Sequence, residues 1–338
     1  MKKFILKIAA LSILFMTIVT IYLSFCKMFY NGPEYPMWRS KFEYVQNNHS
    51  SENIIIGDSR ALAGIVPEII GDDFYNLSYG GGTPIESYFL LKRYISYKIP
   101  KSIIISFSPL HLEFSNVFFG RPLKYNIFST KEIVEILKKS KELNNKFYSY
   151  EDRDLGYKNE LEYLNIYLKS LLTKWNLFYY YRPEMRNSFT QIRILKNIRV
   201  YNEIKARKGN YDFGENESSS GLNFEATKSH NGFVVSKVMD YYLNQIVQLA
   251  LQNNIKVYYI VTPFNEASYN NLNLNYIRDY DSYFNSLQYK YQSAVWHSKI
   301  FFYEDSFFGD NSHLNSRGQI KFSKYIFDEI LNQNTTAK

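Results

Sequence analysis

Five short apolar runs, at 53–56, 74–77, 102–107, 257–261 and 300–303, constrain this chain more than any other feature. Each is bounded by glycine or polar residues and is too short for a buried helix, the pattern of a fully buried strand. Helical signals lie between several of them. Thr83-Pro84-Ile85-Glu86 combines an N-cap hydroxyl, a proline at the first helical position and a glutamate placed to close a capping box. It opens an amphipathic helix expected over 84–97. Further helices are expected over 235–252 and 319–331. Strands alternating with helices imply an α/β fold, a parallel sheet covered on both faces. Chemistry in such sheets gathers outside the carboxyl ends of the strands.

The start of the chain adds a second constraint. Lys2, Lys3 and Lys7 precede an apolar stretch from about Ile8 to Phe25, close to the roughly 18–20 residues that cross a bilayer as a helix. The leading lysines favour a cytoplasmic N-terminus, which places everything beyond residue 30 outside. Tyr22, Phe25, Met28 and Phe29 crowd the positions where a cleavage site needs small side chains. An uncleaved anchor is therefore expected, with a cleaved signal peptide as the alternative. Phe25 is too bulky to precede a lipidated Cys26. The expected plan is a tip and anchor over 1–26, a stalk over 27–50, and one α/β domain made of 51–119 and 232–333. Residues 120–231 form a helical and aromatic insertion. It holds a second capping box, Ser129 with Glu132, opening a helix to about 143. Helical or aromatic segments follow over 160–172 and 175–181, and the polar stretch 209–232 is a candidate lid.

The chain has 338 residues, 46% of them hydrophobic, enough for a full core. Its formal charge of +8 is spread along the chain rather than gathered on one face, so no nucleic-acid partner is expected. A single cysteine excludes an intrachain disulfide. No histidine lies at metal-ligand spacing, and neither metal nor cofactor is expected.

Two short segments carry the chemistry. Gly57-Asp58-Ser59-Arg60 follows the first apolar run, and Asp310-Asn311-Ser312-His313 follows the last. A serine hydroxyl is a poor nucleophile until a base lies within hydrogen-bond reach and a third group holds that base in the right tautomer. His313 and Asp310 could meet both needs from one loop, with Asp305 as a rival orienting group. Ser59, Gly81, Ser108, Asp310 and His313 all fall at carboxyl ends of expected strands. Asp58 reads as a helix cap, and Asn315 with Gly318 as the start of the last helix. Arg60 reads as a surface ion pair or a contact to anionic substrate. Arg60, Ser108 and His111 are the candidate substrate-lining residues.

These residues resemble the SGNH/GDSL hydrolase superfamily. Gly57-Asp58-Ser59 is similar to its first block, the run Asn76-Leu77-Ser78-Tyr79-Gly80-Gly81-Gly82-Thr83 to its second, and Asp310-x-x-His313 to its last. The resemblance covers about 51–119 and 233–333 and implies a three-layer, flavodoxin-like fold with a five-stranded parallel sheet. It implies Ser59 as nucleophile, His313 as general base, Asp310 as its orienting partner, and the amides of Ser59 and Gly81 as oxyanion hole. One block departs: the third strand leads into Ser108-Pro109-Leu110-His111, without the usual asparagine donor. With the anchor and the insertion, this is more similar to membrane-anchored alginate O-acetylation proteins and the D-alanyl transfer protein of teichoic acid synthesis than to secreted lipases. The expectation is an extracytoplasmic serine O-acyltransferase or esterase acting on an envelope glycan or glycopolymer. A polytopic membrane O-acyltransferase is its expected partner. A non-catalytic glycan-binding or assembly subunit is the alternative.

Overall fold

The computed structural model of the protein describes residues 1–25, 32, 34–113, 119–123, 125–143, 167, 168, 171, 191–214 and 219–332. Helix α1 (Lys2–Phe25) opens the chain. Its stretch Lys2–Tyr22 is long and apolar enough to cross a membrane, and none of it is buried against the rest of the protein. A helix hydrophobic all round and left uncovered is consistent with membrane anchoring, and equally with a signal sequence.

Residues 27–50, expected as a stalk, contain α2 (Tyr35–Gln46), which packs into the domain. Trp38 and Lys41 are fully buried, and Tyr44 stacks on Tyr75 at 3.6 Å between centroids. The buried face was masked in the sequence because Arg39, Lys41 and Glu43 interrupt its apolar residues.

The α/β pattern then runs in order. Strand β1 (Asn53–Gly57) leads into α3 (Ser59–Gly64), and β2 (Phe74–Asn76) into α4 (Pro84–Ile95). After them come β3 (Ser102–Ser106), α5 (Pro109–Glu113), α6 (Thr130–Glu142), α7 (Gln191–Ala206), α8 (Phe224–Lys228) and α9 (Lys237–Gln252). The chain closes with β4 (Lys256–Ile260), β5 (Phe264–Asn265), α10 (Leu274–Lys290), β6 (Val295–His297), β7 (Phe302–Tyr303) and α11 (Ser316–Tyr325). The capping boxes expected at Thr83/Glu86 and Ser129/Glu132 both form. The segments expected over 160–172 and 175–181 lie outside the described residues, apart from 167, 168 and 171.

Five strands form one parallel sheet in the order β2-β1-β3-β4-β6. Alternate side chains point to opposite faces. Ile54, Ile56, Ile103 and Ile105 meet Leu90, Leu91, Leu243 and Ile246 from α4 and α9. Ile55, Ile104, Tyr258 and Ile260 meet Phe322 and Ile326 at the end of the chain. Each such fully buried aliphatic side chain contributes about 1.5–3 kcal/mol. From β1 the chain steps one way to β2 and then back past β1 to β3, so a crevice opens between the carboxyl ends of β1 and β3.

The expected fifth strand at 300–303 is not in this sheet. Phe302–Tyr303 pairs with Phe264–Asn265 in a separate two-stranded ladder, and Val295–His297 takes the edge beside β4. An edge strand is half-exposed, so Val-Trp-His lacks the continuous apolar character that marks the central strands. Helix α10 went unanticipated because half of its buried stripe, Tyr276 and Tyr280 beside Phe284 and Leu287, is tyrosine. The segment 209–232, expected as a loop, includes α8 and a 3₁₀ turn at Ser229–Asn231.

Candidate active site

The turn after β1 is built without slack. A Cβ on Gly57 would run into the carbonyl oxygen of Ser106 at the end of β3, so only glycine lets the two strand ends close up. Asp58 then caps α3. Its Oδ1 accepts from the Arg60 amide at 2.9 Å and the Ala61 amide at 3.4 Å. Its Oδ2 accepts from the Ser108 amide at 2.7 Å. One fully buried carboxylate thus satisfies orphan donors of the helix and ties the β1 and β3 turns together. Ser59, the first residue of α3, is held in place by that cap.

The glycine turn after β2 forms the next wall. Asn76 donates to the carbonyls of Ala61 and Ile65 at 2.9 and 3.0 Å, which locks β2 to α3. Gly81 has φ +68°, a conformation that disfavours any other residue. The Gly80 carbonyl accepts from the Trp38 indole at 3.2 Å, and Trp38 stacks on Tyr79 at 4.2 Å. The Gly82 amide closes the turn on the Tyr79 carbonyl at 3.1 Å. The amides of Ser59 and Gly81 make no hydrogen bond among the described residues.

The loop before α11 faces this wall. Asp310 Oδ1 accepts from the amides of Ser312 and His313 at 2.7 and 2.8 Å, and Oδ2 meets His313 Nδ1 at 2.8 Å. Burial works to raise the Asp310 carboxyl, but the bond and charge of His313 and the two amides outweigh it and hold the carboxyl below its ordinary value. Asp305 instead accepts from the Ala267 amide at 3.2 Å, so of the two carboxylates it is Asp310 that meets the imidazole. Phe213 stacks on the imidazole at 4.3 Å. Asn311 anchors the loop to the Leu222 carbonyl at 2.8 Å. Asn315 caps α11 by accepting from the Arg317 and Gly318 amides.

A cavity of about 230 Å³ brings these parts together: Ser59, Arg60, Gly81, Ser108, His111 and His313 all line it. Asp310 stands behind the imidazole. His313 Nε2 is buried and has no hydrogen-bond partner among the described residues, Ser59 Oγ included. The Arg60 ion pair is buried rather than on the surface: its Nη2 meets Glu225 Oε2 at 2.6 Å, and its guanidinium lies over the Phe264 ring. The Ser108 amide is consumed by Asp58, and its hydroxyl is buried. His111 lies with Nε2 3.9 Å from Asp58 Oδ2. Burial lowers its pKa by more than Asp58 and Glu225 restore, so the ring is neutral at pH 7.

Sequence reasoning missed Glu34, Met37, Arg121 and Phe213 in the cavity lining, and Glu225 beneath it. Arg121 forks onto Glu34, with Nη2 and Oε1 2.6 Å apart. No local pattern marks any of the five. A larger groove of about 450 Å³ runs along edge strand β6 beside Asp281, Trp296 and His297, and holds none of the candidate residues. Among the described residues no cluster of three His, Cys, Asp or Glu side chains is placed to hold a metal ion. Compared with known proteins, the chain matches no family model, and no curated protein matches it.

Proposed function

We propose that the protein is a serine O-acyltransferase or esterase working through an acyl-enzyme on Ser59. One observation carries the reading. Two segments some 250 residues apart in sequence meet at one cavity, offering a serine at a capped turn and an imidazole whose Nδ1 is bound by a carboxylate and whose Nε2 is unused. That division of roles is what nucleophilic acyl transfer requires.

In the mechanism, His313 Nε2 takes the Ser59 proton as Oγ bonds to the acyl carbon. Negative charge gathers on the former carbonyl oxygen, which the free amides of Ser59 and Gly81 stabilise. The intermediate collapses as the carbon–oxygen bond to the leaving alcohol breaks, and that alcohol takes the proton from His313. A second hydroxyl, of sugar or water, then reverses the sequence. With the Ser108 amide committed to Asp58, two backbone donors serve the oxyanion.

The sheet order, counted as 2-1-3-4-5, is the flavodoxin-like order of doubly wound sheets, with ligands at the β1/β3 switch point. It supports placing the chain in the SGNH/GDSL superfamily, in its membrane-anchored branch. Helix α1 supports an extracytoplasmic site held at the membrane, where envelope glycans or glycopolymers and a polytopic O-acyltransferase are the fitting partners.

The test is Ser59→Ala in the full chain, assayed with a chromogenic acetyl ester and mass spectrometry of the Ser59 peptide. Wild type should carry an acetyl adduct there, and the variant should lose on the order of 10⁴-fold in rate or more. Unchanged turnover in the variant would sink the mechanism. A second reading, a non-catalytic glycan-binding or assembly subunit, draws on the absence of a bond between Ser59 and His313 Nε2. Catalytic hydrogen bonds are often made only in the substrate complex, which favours the first reading. Full complementation of a deletion by both Ser59→Ala and His313→Ala would reverse that preference.

A further inference from the structure

Three cavity-lining side chains carry polar atoms that the mechanism leaves unused. Arg60, Ser108 and His111 are each more than nine-tenths buried, at 5%, 2% and 7% exposure. Arg60 Nη1, Ser108 Oγ and His111 Nδ1 have no hydrogen-bond partner among the described residues. Unpaired buried polar atoms are costly, and three around one cavity point to a ligand with matching groups.

Their chemistry selects the ligand. His111 is neutral and its Nε2 lies 3.9 Å from Asp58 Oδ2, so the tautomer that turns the ring proton toward that carboxylate is the electrostatically favoured one. Nδ1 is then a lone-pair acceptor, while Arg60 Nη1 can only donate and the Ser108 hydroxyl can do both. A carboxylate, phosphate or oxyanion here would face the Nδ1 lone pair. Charge around the cavity points the same way. Arg60 and Arg121 supply two positive charges against four negative ones from Glu34, Asp58, Glu225 and Asp310, a balance of −2. A further anion is disfavoured, whereas a neutral hydroxyl can accept from Arg60 and donate to His111.

We infer that Arg60, Ser108 and His111 form an acceptor subsite for a neutral, hydroxyl-bearing ring, an uncharged sugar, beside the acyl group on Ser59. This rests on the acyl-enzyme reading above. The bound sugar outcompetes water at the second step. Its hydroxyl proton passes to His313 Nε2, its oxygen bonds to the acyl carbon, and the bond from that carbon to Ser59 Oγ breaks. Ser59 Oγ recovers the proton from the imidazole. The enzyme is thereby a transferase with a preference for neutral over uronate or phosphorylated acceptors.

The experiment uses the full chain in nanodiscs. An acetyl ester donor is supplied with a neutral oligosaccharide or a uronate oligosaccharide, and transfer is measured against hydrolysis. Wild type should transfer to the neutral sugar, and Ser108→Ala and His111→Phe should each lower the ratio of transfer to hydrolysis about tenfold. Arg60 is left intact, because removing it strands Glu225 buried and unpaired. Equal or better transfer to the uronate, or an unchanged ratio in both variants, overturns the subsite. Calorimetry of the neutral oligosaccharide with Ser59→Ala, alone and combined with His111→Phe, separates the two readings. If no acyl-enzyme forms but His111→Phe weakens sugar binding about tenfold, only the acyl-enzyme reading falls. Equal binding to both proteins, or none to either, removes the subsite.

Discussion

Two aspartates stand on opposite sides of the same cavity and are held in different ways. Asp58 is fully buried and accepts from three backbone amides, one of them on a neighbouring strand's turn. Asp310 is part-exposed, and its contacts all lie within three residues of itself. The serine side is thus part of the sheet's interior, sealed by the contact of Gly57 with β3, by Asn76 and by the buried Arg60–Glu225 pair. The imidazole side is a surface turn steadied by Phe213 and Asn311. The lesson is that one carboxylate serves the fold while the other serves the proposed chemistry, although both sit in short motifs of similar appearance.

Exchanging the two roles by mutation tests that division. The largest expected effect is on the Asp310 side. Asp310→Asn keeps an oxygen for the two amides but offers His313 Nδ1 an amide in place of a charge. Ester turnover should fall about 10⁴-fold, with little movement of the urea midpoint. A loss below about tenfold would show that the imidazole does not depend on Asp310.

Asp58→Ala should do the reverse. It removes an N-cap, worth about 1 kcal/mol, and leaves the Ser108 amide buried without a partner, costing roughly a further 1–3 kcal/mol. Urea unfolding should therefore report a loss of about 2–4 kcal/mol, with activity falling only as far as Ser59 loses the cap that seats it. If stability stays within about 0.5 kcal/mol of wild type while activity vanishes, Asp58 belongs to the chemistry and the comparison fails.

The same contrast explains what could be read from the sequence. Asp310 and His313 were legible because a three-residue spacing within one loop places both groups together without help from elsewhere. The central strands were legible because Ile54, Ile55, Ile103 and Ile104 are buried on both faces and need no alternation. The caps at Thr83 and Ser129 are likewise local. Glu225 and Phe213 were not legible, since each acts through a partner far away in sequence. Lys41 shows the limit most clearly. A lysine between Ser40 and Phe42 reads as surface, yet its Nζ is fully buried and donates to the carbonyls of Asn76 and Gly209. Burial holds its pKa well below the ordinary lysine value. Helix α2 was lost for the same reason, its buried Lys41 being accommodated by tertiary neighbours, whereas strand β6 was lost because it is a half-exposed edge.

The smallest expected effect extends the comparison to pH. Glu86, capping α4 beneath the glycine turn, is fully buried. Burial raises its carboxyl to about 7, against the opposing pull of Thr83, nearby amides and Arg121. Between the unfolded value of 4.5 and that folded value the native state holds the extra proton, so stability falls as pH rises through this window and is level above it. Asp310 works with the opposite sign. Its lowered carboxyl contributes stability above the unfolded value of 3.8, and that contribution is lost as pH falls through the folded one. The serine side therefore weakens toward alkaline pH and the imidazole side toward acid. In urea unfolding at pH 5 and pH 8, Glu86→Gln should gain on wild type by about 2 kcal/mol over the interval, because the amide cannot ionise. A difference between the two proteins that is the same at both pH values would mean that Glu86 is charged in the folded protein, and that the serine side is not the alkaline-sensitive half.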